Sequence, residues 1–237
     1  MKKIWIIAKK EFGTYLFNPI GLIFGFILLL VSCWMFWQDM FLANVASVEV
    51  LLVNFVFLLT VFVPALLMGS LAEEKKQGTW EVLLTLPVNE VQLVLGKFLG
   101  AWMSIFVYLI CLVPNALIIE LLGRPDWGLL VSSLLGVILI SGVYISVSIF
   151  GSSLTNQGVI AFVISATALM LSSLFGQDQF LRRIPQEVAF YVEKISWNRL
   201  MAEYFSGYIS LQASLILVVS IVVFITLSIL SLKTRHA

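Results

Sequence analysis

Residues 73–88 read EEKKQGTWEVLLTLPV. One charge-free apolar run, Val50 to Ala72, ends where they begin, and another, Phe98 to Ile119, opens shortly after them. The stretch reads as capping chemistry. Glu73 to Gln77 can continue the preceding helix for about one turn, with Lys75 and Lys76 near its C-terminus, where cations suit the helix dipole. Gly78 is placed to stop that helix. Thr79 follows as an N-cap with Glu81 in the first turn. Trp80 to Leu86 makes a short helix that Pro87 ends, because proline cannot continue a helix interior. Asn89 caps the next helix, with Gln92 at the capping-box position. The expected unit is helix, turn, short helix, turn, helix, lying across a membrane surface. Trp80, Leu83, Leu84 and Leu86 supply apolar faces, and Glu73, Glu74 and Glu81 supply charge. A flexible tether would not need so many caps; a piece that transmits force would.

Outward from this loop the chain is apolar. Of its 237 residues 61% are hydrophobic and 11% charged, against roughly 45–50% and about 25% in soluble domains. The charge-free runs are Phe12 to Gln38, Val50 to Ala72, Phe98 to Ile119, Trp127 to Gln177 and Tyr204 to Leu232. A spanning helix needs about 20 residues. SLTNQG, Ser153 to Gly158, divides the longest run into two spans. The expectation is an all-α integral membrane protein of six transmembrane helices, near 19–37, 51–71, 98–121, 129–152, 159–176 and 212–232. β-barrel alternation is absent, no repeat or separate soluble domain stands out, and residues 1–237 read as a single transmembrane domain.

Lysine and arginine near the span ends set orientation. With both termini inside, the cytosolic side carries Lys2, Lys3, Lys9, Lys10, Lys75, Lys76, Lys97, Lys233 and Arg235, and the outside Arg124, Arg182, Arg183, Lys194 and Arg199. This favours N-in, C-in. The N-terminal apolar run is too long for a cleaved signal peptide and no small-x-small site follows it. Cys33 and Cys111 both fall inside expected spans and read as packing residues, not a disulfide or metal pair. With His236 the single histidine, no metal site is expected.

Ionisable groups deep in hydrocarbon are expensive and mark function by default. The middle of every expected span lacks them; Glu120, at the outer end of span 3, comes nearest. Ion-coupled transport, intramembrane catalysis and action on lipid as an enzyme all lose weight. The chain has no GxxxxGK[ST] phosphate loop, since Gly96-Lys97 continues into Phe98 without the partner glycine. Energy for uphill transport would have to enter from a separate ATPase, and this chain is not expected to be an enzyme.

The 73–88 loop resembles the coupling-helix signature of type-2 ABC exporter permeases, E-E-x-x-x-G-T-x-E-x-L-L-x-x-P. Glu73, Glu74, Gly78, Thr79, Glu81, Leu83, Leu84 and Pro87 match. Leu95-Gly96-Lys97-Phe98-Leu99 is similar to the start of that family's third span. GSSLTNQGVIAF, Gly151 to Phe162, resembles the subgroup of gliding-motility-type permeases, as do the N-terminal AKKEFGTYLFNPIG and the short length. The resemblance covers nearly the whole chain. It implies that the loop at 73–90, with Trp80 in its short helix, docks in a groove of a cytosolic ATP-binding subunit. ATP and Mg would sit on that partner, with no cofactor on this chain. It also implies a second permease subunit, identical or related, and residence in the bacterial inner membrane. The subgroup label does not establish motility, and nothing points to nucleic acid.

Three other stretches carry expectations. Residues 2–16 put Lys2, Lys3, Lys9 and Lys10 beside Ile4, Trp5, Ala8, Phe12 and Tyr15, which suits an amphipathic helix on an anionic leaflet. The resemblance makes Lys9, Lys10 and Phe12 part of an elbow helix that also touches the ATPase; a plain extension of span 1 is the alternative. Span 4 is rich in small residues, among them Gly136, Ser141, Gly142, Ser146, Ser148, Gly151 and Ser152. They read either as close helix packing or as the polar wall of a cargo path. In the external segment 177–210 two short amphipathic helices are expected to dip into the outer leaflet. The second carries Trp197, Leu200, Met201, Tyr204 and Phe205, with Ser196 as N-cap and Gly207 as stop. The resemblance implies an exit gate there; a surface cover is the alternative. The functional expectation is a permease subunit exporting an unidentified substrate on ATP hydrolysed elsewhere. The alternative is an ATPase-linked membrane scaffold of an envelope or secretion machine that moves no cargo.

Overall fold

The computed structural model describes residues 2–43, 47–76, 89–122, 127–176 and 196–234, with the single positions 180, 182 and 185. The described residues form nine α-helices and no strand: α1 Lys2–Phe17, α2 Pro19–Ala43, α3 Val48–Leu67, α4 Ala72–Lys76, α5 Glu90–Leu122, α6 Trp127–Leu154, α7 Gly158–Phe175, α8 Trp197–Phe205 and α9 Leu211–Thr234. Six segments are long and apolar enough to cross a membrane: α2, α3 with α4, α5, α6, α7 and α9. They coincide with the six expected spans. The helix opened by Asn89 does run unbroken into span 3, as the 33 residues of α5.

The pillar of the bundle is α6. From Ile140 to Ser153 every residue but Phe150 is buried, and α3, α5, α7, α8 and α9 pack around it. Such an apolar interior tolerates hydroxyls only if they are bonded. The Ser141, Ser146, Ser148 and Ser153 hydroxyls donate to carbonyls three or four residues back in their own helix, at 2.7–2.8 Å. Of the two readings left open for this stripe, the fold supports close packing: these residues are covered by neighbouring helices of the same chain.

At one end of the pillar Ser231 near the end of α9 donates to the Ser153 carbonyl, so α9 finishes beside the end of α6. The same end holds α1, α4 and the start of α5; we refer to it as the terminal face. Two expectations bear on this end. Span 2 does not run smoothly into Glu73–Lys76; it opens at 68–71. And α1 is not a plain extension of span 1: it is a separate helix whose inner face packs on α5. The chain bends at Asn18, ahead of Pro19, where the residue before a proline leaves the α region. The bend turns Ala8, Glu11 and Tyr15 inward against α5, while Lys2, Lys3, Lys9 and Lys10 stay exposed.

At the opposite face α8 departs from expectation too. Leu200, Met201, Tyr204 and Phe205 are buried, and the helix packs on α6, not in the leaflet. Trp197 at its start meets Tyr144 and Phe224, both well inside α6 and α9; Tyr204 near its end reaches Ser132. The start of α8 also lies beside the end of α7, where the Asn198 amide donates to the Ser173 carbonyl at 2.7 Å, so protein covers its apolar face. Ser196 holds the N-cap position without a side-chain cap bond. Gly207, at φ 86°, provides the expected stop, with the Tyr208 N–H reaching back to the Glu203 carbonyl at 3.1 Å. The first of the two expected helices, around Val188, Tyr191, Val192 and Ile195, lies outside the described residues. Near the same face the Asn54 amide donates to the Asp39 carboxylate at 2.8 Å. Cys33 accepts from Asn115, whereas Cys111 is on an exposed face of α5 and does not pack as expected.

Candidate functional site

Most of the coupling residues named from sequence, Gly78, Thr79, Trp80, Glu81, Leu83, Leu84 and Pro87, lie outside the described residues. What the structure describes is the base from which that segment springs: Glu73 and Glu74 in α4, and the start of α5.

The base is built on Lys97. It sits in the second turn of α5, one residue after Gly96, and its side chain is 1% exposed. Its ammonium lies 3.0 Å from Glu11 of α1 and 2.8 Å from Glu74 of α4. One cation thus joins three elements that are far apart in the chain. Lys97 can be buried because α1 seats closely on α5. A β-carbon on Gly96 would fall 2.6 Å from the Ile7 side chain, and one on Gly100 2.7 Å from Glu11 and 2.8 Å from the Ala8 carbonyl. Gly96 and Gly100 are a GxxxG pair, which lets helix backbones approach, and Lys97 projects beside the notch they make. Removing one partner from such a buried pair is far costlier than never having had the pair. Tyr15, one turn on from Glu11, completes the inner face of α1. Burial first, and the Glu11 carboxylate second, raise its hydroxyl well above the ordinary tyrosine value.

The second anchor is Ser152. In a continuous helix the Leu71 and Ala72 amides would bond carbonyls four residues back. Both instead donate to the Ser152 hydroxyl at 3.1 Å, which itself donates to the Met68 carbonyl at 3.3 Å. A side chain inserted into the hydrogen-bond ladder opens a helix, and this insertion separates α3 from α4. Lys75 then donates to the Ser153 carbonyl, and Glu73 leans toward Gly158 at the start of α7, where a carboxylate suits the dipole. The two motifs of the sequence resemblance, about 80 residues apart, therefore interlock: GSSLTNQG clasps the foot of EEKKQG.

Glu73 and Glu74 were named from sequence, but the groups that hold them were not. Lys97 read as an orientation charge and Ser152 as a small packing residue. Glu11 passed unnamed, though it is the one acid in an otherwise basic helix. Lys9 and Lys10 are exposed and Phe12 half-buried; none joins the junction. The reciprocal capping box at α5 is not made either. The Asn89 carbonyl accepts from the Gln92 and Leu93 amides, but Gln92 Oε1 is buried without a partner among the described residues.

The residues expected to form an external gate are brought together at the far end of α6. Tyr204 is the centre: a β-carbon on Gly136 would lie 2.7 Å from its side chain. Ser132 donates to its carbonyl at 2.8 Å, and its hydroxyl pairs with that of Ser214.

Among known proteins, the model of the ABC-2 family transporter proteins matches residues 9–175. No match is found among curated proteins. The matched stretch is well over half of the chain and contains Glu11, Glu74, Lys97 and Ser152, though not α8. The chain belongs to the ABC-2 transporter family. It is a multi-pass membrane protein and the membrane component of an ABC transporter, a family that works with an ATP-binding subunit.

Proposed function

We propose that this chain is the permease subunit of an ATP-driven exporter of the bacterial inner membrane, with both termini and the 73–90 loop in the cytosol. The observation that carries the reading is the burial of Lys97 between Glu11 and Glu74. It makes the elbow helix, the foot of span 2 and the head of span 3 a single block under the loop that matches the coupling signature. ATP and Mg bind the partner subunit, whose groove takes the short helix around Thr79 to Leu86. Closure of the partner pushes that helix; α4 and the start of α5 move with it, and the break at 68–71 lets α4 turn on α3. The α8 helix at the opposite face serves as the gate. A second permease, identical or related, completes the pathway, and the substrate is unassigned. The Gly151–Phe162 stretch supports placement in the gliding-motility-type subgroup.

The test is co-purification with the ATP-binding subunit, followed by ATP turnover of the complex. Glu74→Lys and Gly78→Pro are expected to lose the partner or uncouple turnover while the chain stays in the membrane. Unchanged assembly and turnover in both variants would sink the docking assignment. Turnover that responds to the nucleotide partner but never to any cargo would favour the scaffold reading.

A further inference from the structure

Beside the Lys97 junction lies an open cleft of about 210 Å³, between the bend that joins α1 to α2 and the foot of α3 and α4. Its walls carry the carboxylates of Glu11, Glu73 and Glu74 against the ammonium groups of Lys10 and Lys97. Lys97 is already held by two of those carboxylates, so the walls favour a further cation. Glu73 makes no ion pair among the described residues. Ser70, also in the wall, is 8% exposed, and its hydroxyl has no hydrogen-bond partner among the described residues. A buried hydroxyl without a partner is costly. Outside the cleft the surface changes character. Lys10 stands exposed at the rim, and Phe17 and Ile20, 73% and 59% exposed, flank the point where α2 begins its passage.

We propose that this cleft binds the headgroup of an aminophospholipid, of the phosphatidylethanolamine type, from the leaflet at the terminal face. The primary ammonium donates to Ser70 Oγ and to the Glu73 carboxylate. The phosphate meets Lys10 at the rim, and the acyl chains leave over Phe17 and Ile20. The space equals about seven waters at ~30 Å³ each, enough for a headgroup of about eight heavy atoms. The chemistry discriminates: a trimethylated choline headgroup has no N–H to give Ser70, and a glycerol headgroup has no positive charge for Glu73. The proposal rests on the cleft and on residence in a membrane, and stands apart from docking of the ATPase. A lipid held there would touch α1, α2, α3 and α4 at once.

The experiment uses the full chain in mild detergent with equimolar ethanolamine, choline and glycerol phospholipids of matched acyl chains. Retained lipid is measured by native mass spectrometry, and melting temperature is followed in parallel. The ethanolamine lipid is expected to be retained about tenfold over the choline lipid, the scale of one charge-assisted hydrogen bond. Glu73→Gln and Ser70→Ala should each abolish that preference. Ser70→Ala adds a crossing readout: without lipid it should melt no lower than wild type, because it removes an unpartnered hydroxyl, and with the ethanolamine lipid it should melt lower. Equal retention of ethanolamine and choline lipids, or a preference that survives both variants, overturns the proposal. Displacement by soluble phosphoethanolamine at the lipid's own concentration overturns it as well, since the acyl chains would then contribute nothing and the occupant would be a free amine.

Discussion

The two ends of α6 hold their neighbours by different means. At the terminal face the contacts are charges and hydroxyls: Lys97 on Glu11 and Glu74, Ser152 on two backbone amides, Lys75 on a carbonyl. At the opposite face α8 is seated first by shape, the Tyr204 ring against the glycine notch at 136, with the Ser132 and Ser214 hydroxyls bonding the Tyr204 carbonyl and hydroxyl around it. A ring in a notch is either in or out. A hydroxyl that already bonds two amides and a carbonyl, or an ammonium between two carboxylates, can exchange one partner for another with its remaining bonds intact. The first end holds by bonds that can be exchanged and the second by fit.

Five variants test that contrast. Lys97→Met should have the largest effect. It leaves the buried Glu11 and the half-buried Glu74 without their cation, at about 3–5 kcal/mol, read as a fall in melting temperature in detergent. Adding Glu11→Gln should recover part of it; a single variant that melts with wild type would mean the junction does not hold α1. Ser152→Ala comes next. It strips the acceptor from two buried amides, about 1–3 kcal/mol for each group left unsatisfied, and hydrogen exchange at Leu71 and Ala72 should speed up. Gly136→Val drives a side chain into Tyr204, at about 1–3 kcal/mol for overpacking. Its exchange signature should be confined to 197–205, and a signature that spreads to 68–76 would show that the two ends are not independent.

The fourth variant concerns pH. With the Tyr15 hydroxyl raised in the folded chain, the unfolded chain gives up its proton first. Stability is therefore intact below about 10 and falls as pH climbs from there toward the raised value, by at most about 1.4 kcal/mol per unit. Tyr15→Phe should flatten that alkaline slope. Tyr204→Phe should have the smallest effect, about 0.5–1.5 kcal/mol for one hydroxyl pair, read as melting temperature in detergent.

The spans were legible because charge-free runs longer than a bilayer have few alternatives, and the 73–88 loop because caps and stops are local. The junction was not. Lys97 at the mouth of a span looks the same in sequence whether it snorkels toward water or is buried under another helix, and its partner Glu11 is 86 residues away. Gly96 and Gly100 were visible as small residues, but nothing local says that an N-terminal helix closes on them. Ser152 was read through its size because a hydroxyl that wedges open a different helix leaves no mark on its own. The depth of α8 escaped for a related reason: an amphipathic pattern reports which face is apolar, not whether lipid or protein covers it.

The distance between Glu11 and Lys97 also sets a schedule for biogenesis. At 5–20 residues per second, the ribosome needs about 4–17 s to make the 86 residues that separate them. Through that interval the first helix is made, and the cation that holds its acid in the folded chain is not. Only when the third span arrives can the N-terminus lock. A nascent chain stopped before residue 97 should lose its N-terminal helix to protease, and one stopped after span 3 should keep it.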